Sequence, residues 1–251
     1  MRIPRVYTEC PLQAHSELTL PAGAGQHIAR VLRRRAGDAL LLFDGRGGEF
    51  SAAVTAVEGK EVTVAVGEHR PQERESALSI HLGIALSRGD RMDWVVQKTT
   101  ELGVTDLTPL FTKRTEVKLD GERRGKKIRH WQQVAVSACE QCGRNRLPAI
   151  HSPRPLGDWL AATGAERRFV LHHRAASSAG AGAGEQPASV ALLIGPEGGL
   201  SGAEILAAEQ AGFQSLQLGP RVLRTETAPL AAIAILQARW GDMAPESLHQ
   251  T

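Results

Sequence analysis

The sequence predicts an α/β protein in which a mostly parallel sheet follows a small N-terminal β-barrel. Three observations support this. Short alternating stretches fill the chain to about residue 70, and from Leu78 onward strand-sized and helix-sized stretches take turns. Two glycine-punctuated segments then stand near the C-terminus, Leu192-Leu193-Ile194-Gly195-Pro196-Glu197-Gly198-Gly199-Leu200-Ser201 and Leu218-Gly219-Pro220-Arg221-Val222-Leu223-Arg224-Thr225-Glu226-Thr227-Ala228. Alternating strand and helix implies a mostly parallel sheet. Each glycine segment reads as an apolar strand that stops at glycine and hands over to a helix. Two such junctions side by side at the carboxyl edge of a parallel sheet are where α/β proteins bind small ligands.

In the N-terminal part, Ala39–Phe43, Glu49–Val54 and Glu61–Val66 are strand-sized and separated by turn signals. Asp44-Gly45-Arg46-Gly47-Gly48 joins the first two as a hairpin, with glycine at hand for positive φ. A helix-like insertion, Gln26 to Arg34, interrupts the pattern. The polar, proline-broken stretch from His69 to Ser76 suits a linker, which puts a domain boundary between 1–72 and 73–251. Beyond it the expected order is a strand over Leu78–Leu86, a helix from Asp90 to Leu102 and a strand near Leu107–Phe111. A long helix from about Gly125 to Cys142 and a strand around Phe169–His172 precede the glycine junctions. Ala175 to Ser189 is low-complexity and reads as a mobile surface loop. In the last helix, Glu226 to Trp240, Ala228, Leu230, Ala231, Ala232, Ile233, Ala234, Ile235, Leu236 and Ala238 leave almost no polar face. A helix apolar all round must be buried on every side, and a second copy of the chain would do that. A homodimer is expected.

Composition narrows the function. The 251 residues are 42% hydrophobic and 23% charged, ordinary for a soluble globular chain, and long enough for one large domain or two unequal ones. No apolar run approaches the roughly 20 residues of a membrane helix, and Met1-Arg2-Ile3-Pro4-Arg5-Val6 has no signal-peptide h-region. A cytoplasmic location away from membranes is expected. The three cysteines make no disulfide framework; Cys139 and Cys142 form a C-x-x-C pair at the end of a helix, without a second pair to complete a zinc site, so no metal is expected. Net charge is only +3, but the cations cluster: Arg30, Arg33, Arg34 and Arg35 lie together, and Lys113 to Arg129 holds eight basic residues against three acidic. Clusters joined by folding make a polyanion footprint, whereas each alone reads as a solvated helix face.

The junctions carry the chemistry. Glycines in Gly195-Pro196-Glu197-Gly198-Gly199 permit close backbone approach to a ligand, and Ser201 with Glu204 forms a capping-box pattern for the next helix. The phosphate-binding G-x-G-x-x-G and G-x-x-x-x-G-K-[ST] patterns are missing from both, which disfavours a dinucleotide or triphosphate loop. Arg224-Thr225-Glu226-Thr227 sets two charges and two hydroxyls between an apolar strand and an apolar helix. Glu226 or Thr227 could serve the helix N-terminus, but charges beside a glycine loop more often mean ligand chemistry.

These two segments resemble the bacterial 16S ribosomal RNA uridine-N3 methyltransferases of the SPOUT superfamily. So do Gln97-Lys98-Thr99-Thr100-Glu101-Leu102-Gly103-Val104, Ala138-Cys139-Glu140-Gln141-Cys142-Gly143-Arg144-Asn145, His27-x-x-Arg30-Val31-Leu32-Arg33 and Leu42-Phe43-Asp44-Gly45. The likeness spans residue 2 to about 242. It implies a PUA-like RNA-binding barrel over 1–72, a SPOUT domain with a deep trefoil knot over 73–251, a dimer, and S-adenosylmethionine as cofactor. Carried over by motif, the cofactor loops are Leu171 and His172; Ile194, Gly195, Glu197, Gly198 and Gly199; and Leu218, Gly219, Val222, Leu223, Arg224, Thr225, Glu226 and Thr227. Main-chain groups there would read the adenine.

Methylating uracil N3 displaces a proton and spreads negative charge onto the flanking carbonyl oxygens. Cations aimed at those oxygens stabilise the anion, and a carboxylate could take the proton. Arg144 with Arg224 is the candidate for the first role, with a phosphate clamp as the alternative for Arg144. Glu226 is the candidate base or cofactor-orienting carboxylate. Arg5, Arg30, Arg33, Lys98 and Arg114 are candidate RNA contacts. Such phosphate contacts carry no sequence information, so choosing one uridine needs the shape of assembled 16S rRNA and extrusion of the base. A related SPOUT enzyme with another target nucleotide, or a non-catalytic ribosome-assembly protein, stays open.

Overall fold

A computed structural model of the chain describes residues 3–117, 119–172 and 186–243. The chain forms two compact units: Met1–Glu75 with Val136–Leu147, and Ser76–Ala135 with Pro148–Thr251.

The first unit is built on a five-stranded sheet of β1 (Arg5–Tyr7), β2 (Ser16–Thr19), β3 (Ala39–Phe43), β4 (Glu49–Glu58) and β5 (Glu61–Arg70), in the order β1-β3-β4-β5-β2. β1 runs parallel to β3 and the other pairs are antiparallel. Every second residue of β5, Val62, Val64 and Val66, points into a core with Val6, Ile28, Leu40, Leu42 and Val54, as period-2 burial requires. The β3–β4 hairpin turns where expected, with Gly45, Gly47 and Gly48 at positive φ and the Asp44 carboxylate accepting from the Leu12 and Arg46 N–H groups. The helical insertion starts earlier than its sequence suggests: α1 spans Ala22–Gln26 and continues as a π-helical turn over His27–Val31. Gly25 lets α1 pack closely, because a Cβ there would lie 2.5 Å from the Lys60 carbonyl.

The second unit carries a sheet that is parallel throughout, ordered β12-β10-β11-β6-β7-β8 with β9 also on β7. Its strands are β6 (Ser79–Ala85), β7 (Asp106–Phe111), β8 (Ala149–Ile150), β9 (Arg154–Pro155), β10 (Arg167–Leu171), β11 (Ser189–Ile194) and β12 (Gln214–Leu216). The helices are α2 (Arg91–Glu101), α3 (Gly121–Cys142, whose last turns belong to the first unit), α4 (Leu156–Ala162), α5 (Gly202–Gln210) and α6 (Thr227–Trp240). β11 shows why the sheet sits between two layers. Val190, Leu192 and Ile194 pack with Val95, Trp131, Ile233 and Trp240 from α2, α3 and α6, while Ala191 and Leu193 pack with Trp159 and Phe213 on the α4 and α5 side. Gly83 on β6 gives Trp159 its seat, since a Cβ there would stand 2.6 Å from the indole.

Three sequence readings change. The second apolar strand is β12 at Gln214–Leu216, so Leu218 and Gly219 lie in the loop beyond it. β8, β9 and α4 had no sequence signal of their own. In the helix expected to be buried all round, Ile235 is 51% exposed, with Ala238 and Arg239 also exposed beside it. Most of the low-complexity loop lies outside the described residues, and Ser189 begins β11. Among the described residues, no helix is long and apolar enough to cross a membrane.

Candidate functional site

β10, β11 and β12 end side by side at the carboxyl edge of the sheet, and the loops that leave them enclose a cavity of about 1080 Å³. Leu171 and His172 contribute from the end of β10. Ile194, Gly195, Glu197, Gly198 and Gly199 line it from the β11 loop, and Leu218, Gly219, Val222, Leu223, Arg224, Thr225 and Glu226 from the segment before α6. Thr227 is the one expected cofactor-loop residue that does not line it; it opens α6, with its N–H on the Arg224 carbonyl at 2.9 Å.

Local chemistry shapes the first loop. The Gly199 N–H reaches back to the Pro196 carbonyl at 2.7 Å in a tight turn that needs φ of 68° at Gly199. At Gly195 a Cβ would lie 2.9 Å from Leu200 N, so the turn closes only around glycine. The capping box forms as the sequence suggests: the Ser201 hydroxyl accepts from Glu204 N–H, and Glu204 accepts from Ser201 N–H at 2.8 Å. The other oxygen of Glu204 accepts from the Lys113 N–H at 2.7 Å. Burial alone would raise the Glu204 pKa; the N–H groups of Lys113 and Ser201, the Ser201 hydroxyl and nearby Arg114 outweigh it and hold the carboxyl below its ordinary range. Arg114 donates to the Gly198 carbonyl at 2.6 Å, and Arg91 at the start of α2 pairs with Glu197 at 2.5 Å.

The second loop is more open. Gly219 turns at φ of 77°, Val222 is 74% exposed, and Thr225 is buried. Glu226 occupies the N-cap position of α6 but makes no side-chain capping bond. Glu226 lines the cavity together with Arg224.

The remaining candidates are placed as follows. Arg144 belongs to the first unit, whereas every residue lining the cavity belongs to the second. Its side chain is 5% exposed and pairs with Glu75, Nη2 to Oε2 at 2.7 Å and Nε to the same oxygen at 3.1 Å. The Arg144 guanidinium is held by the half-buried Glu75 carboxylate within the first unit. Arg5 is buried too, ion-paired with Glu49 and donating to the Arg144 carbonyl and to Asn145 Oδ1 at 2.6 Å, so it is not a surface RNA contact. Arg30, Arg33 and Arg114 are exposed, while Lys98 is half-buried, paired with Glu101 at 2.8 Å over the Trp94 ring. Sequence reasoning missed Arg91. Its signal was Arg88-Gly89-Asp90-Arg91, a third strand-to-glycine-to-helix junction on the same edge.

Known proteins resemble this chain in sequence and fold. An RNA methyltransferase domain family matches residues 74–237, and an RNA methyltransferase PUA domain family matches 20–67. The ribosomal RNA small subunit methyltransferase E of Buchnera aphidicola (subsp. Schizaphis graminum) is 35% identical over 96% of this chain and 98% of its own. Among solved structures, a Legionella pneumophila protein in complex with bound S-adenosylmethionine is 42% identical, with a TM-score of 0.93 over 96% of this chain and all of that one. The ribosomal RNA small subunit methyltransferase E of Neisseria gonorrhoeae, bound to S-adenosylmethionine, is 36% identical with a TM-score of 0.89 over 97% of this chain and all of that one.

Proposed function

The chain belongs to the ribosomal RNA small subunit methyltransferase E family, and from that membership we propose that it methylates N3 of one uridine in 16S ribosomal RNA, using S-adenosylmethionine. The observation that carries the proposal is that the end of β10 and both glycine junctions wall a single cavity.

The lining fits the cofactor. Gly195, Gly198, Gly199 and Gly219 let a ligand approach the main chain closely at the wall; Leu171, Ile194, Leu218 and Leu223 supply apolar surface for a purine; Glu209 and Glu226 supply negative charge for the cofactor's cationic groups. When bound, S-adenosylmethionine supplies the activated methyl group. The protein's own residues handle the acceptor. Arg224 sets a cation against the charge that spreads over the uracil carbonyls as N3 loses its proton, and Glu226, uncommitted to helix capping, takes that proton.

The PUA unit binds the RNA, with exposed Arg30 and Arg33 as phosphate contacts and Arg114 as another on the catalytic unit. Membership of the RNA methyltransferase family supports a trefoil knot tied through the two cavity loops. The exposed Ile235 face of α6 supports a homodimer, working in the cytoplasm where ribosomes assemble.

The test uses small subunits from a strain without this activity. Incubated with the protein and S-adenosylmethionine, they gain N3-methyluridine at one 16S position, read by mass spectrometry. Glu226→Gln lowers kcat by about 10²-fold or more. Methylation of another base, or of none, would sink the reading.

A further inference from the structure

We propose that a second basin, sharing a wall with the cofactor cavity, seats the phosphodiester of the RNA strand carrying the target base, and that the Arg91–Glu197 ion pair is a latch this phosphate opens. The proposal rests on the methyltransferase reading above.

The basin has a volume of about 870 Å³ and gathers Arg88, Arg91, Lys113 and Arg114 around one opening. Its walls are the loops after β6, β7 and β11, which are neighbours in the sheet, so it lies on the same carboxyl edge as the cofactor cavity. Arg91, Arg114, Glu197 and Gly198 line both spaces. A nucleotide with its base in the cofactor cavity therefore has its backbone at the basin.

The charges there suit a phosphate. Three carboxylates, Asp90, Glu116 and Glu197, share the lining with the four cations. Two of the three are in ion pairs: Glu116 with Arg88 at 2.6 Å and Glu197 with Arg91 at 2.5 Å. Both pairs are open to water, with side chains 69% and 65% exposed in the first and 44% and 43% in the second. Ion pairs so exposed contribute little and exchange readily, whereas a phosphate offers guanidinium a bidentate, charge-assisted partner. Of the other two cations, Lys113 stands on a backbone N–H tied to Glu204 at 2.7 Å, and the Arg114 guanidinium is positioned by donating Nη1 to the Gly198 carbonyl at 2.6 Å. Transfer of Arg91 from Glu197 to phosphate frees the β11 loop on one side only when RNA is in place.

Arg88 and Lys113 line the basin and not the cofactor cavity, which makes them the clean test. Binding of a short single-stranded oligouridylate is measured across a salt series without cofactor. Relative to wild type, the Arg88→Gln/Lys113→Gln double variant binds about tenfold more weakly, and its log–log salt slope falls by about 1.4, the value for two lost phosphate contacts on single strands. Its affinity for S-adenosylmethionine stays within twofold by calorimetry. Glu116→Gln breaks the Arg88 pair but keeps the cation and does not weaken RNA binding. Glu197→Gln, which releases Arg91, tightens it several-fold. An unchanged slope and affinity in the double variant, or a wild type that does not bind the oligonucleotide, overturns the basin; no tightening in Glu197→Gln overturns the latch. Failure of the methylation assay with small subunits would instead strike the parent reading, since these measurements involve no turnover.

Discussion

Arg144 and Glu75 are partners: Nη2 lies 2.7 Å from Oε2, with the two side chains 5% and 19% exposed. The same stretch gives the Arg144 carbonyl to Arg5 and the Asn145 amide to the Gln72 carbonyl, so this arginine anchors residues 136–147 inside the first unit. Breaking one side of a mostly buried pair strands the other charge. Glu75→Gln and Arg144→Gln are each expected to lose about 2–4 kcal/mol of stability, and the double variant less than their sum in chemical denaturation. A loss of kcat by about 10²-fold in Arg144→Lys at unchanged stability would return Arg144 to the reacting uracil.

The contrast between this residue and the cavity loops shows what a sequence exposes. β11 was legible because Val190, Leu192 and Ile194 alternate with Ala191 and Leu193 between two apolar layers, and Gly195 ends the run. β12 was placed too late because only three residues form it, one exposed and two half-buried, and the apolar Leu218 beyond it belongs to the loop. The return of residues 136–147 to the first unit left no mark, since α3 runs unbroken through the division. Glu226 and Arg224 stood beside a glycine loop, and both line the cavity. Arg144 did not reveal its occupant, nor Arg91 its pairing with Glu197, because those partners are 69 and 106 residues away.

Glu204 makes the β11 loop sensitive to acid. Its pKa is depressed in the folded protein although burial opposes this, so the carboxylate adds stability that is present above its unfolded pKa and lost as pH falls through the folded value. Glu204→Gln is expected to cost about 1 kcal/mol at pH 7, the scale of a helix cap, with wild type and variant converging in strongly acidic buffer. A gap that stayed constant from neutral to acid in denaturation curves would mean the charge is not what the two loops use.

Cys139 and Cys142 differ in kind despite their spacing. The Cys139 thiol is pushed up to about 12, chiefly by burial, with Arg144 and Arg5 opposing and Cys142 and Glu75 adding to the rise. Its side chain is fully enclosed and Sγ sits 3.7 Å from the Arg146 carbonyl. Since the thiolate is the reactive form, a thiol reagent at pH 8 is expected to label Cys10 and Cys142 in the native protein and Cys139 only after unfolding. Rapid native labelling of Cys139, or a native Cys139–Cys142 disulfide, would overturn this and point to a redox role for the pair.

The open face of α6 predicts the assembly. Ala232, Ile233, Leu236 and Trp240 fill the core on one side of the helix, and Gln237 is fixed by Ser76 at 2.7 Å and the Leu102 carbonyl at 3.1 Å. These contacts set the rotation of α6 and leave Ile235 outward, 51% exposed, between the small residues Ala231, Ala234 and Ala238. Small residues flanking an apolar knob allow a second helix to approach closely, and a two-fold dimer would present the same surface from both copies. Sedimentation is expected to give a dimer for the wild type and a monomer for Ile235→Glu, because an isologous contact would bring two introduced carboxylates together. α6 follows directly on the Leu218–Thr227 loop, so the monomeric variant should also bind S-adenosylmethionine more weakly. A dimer that survives Ile235→Glu would move the interface to another face of the chain.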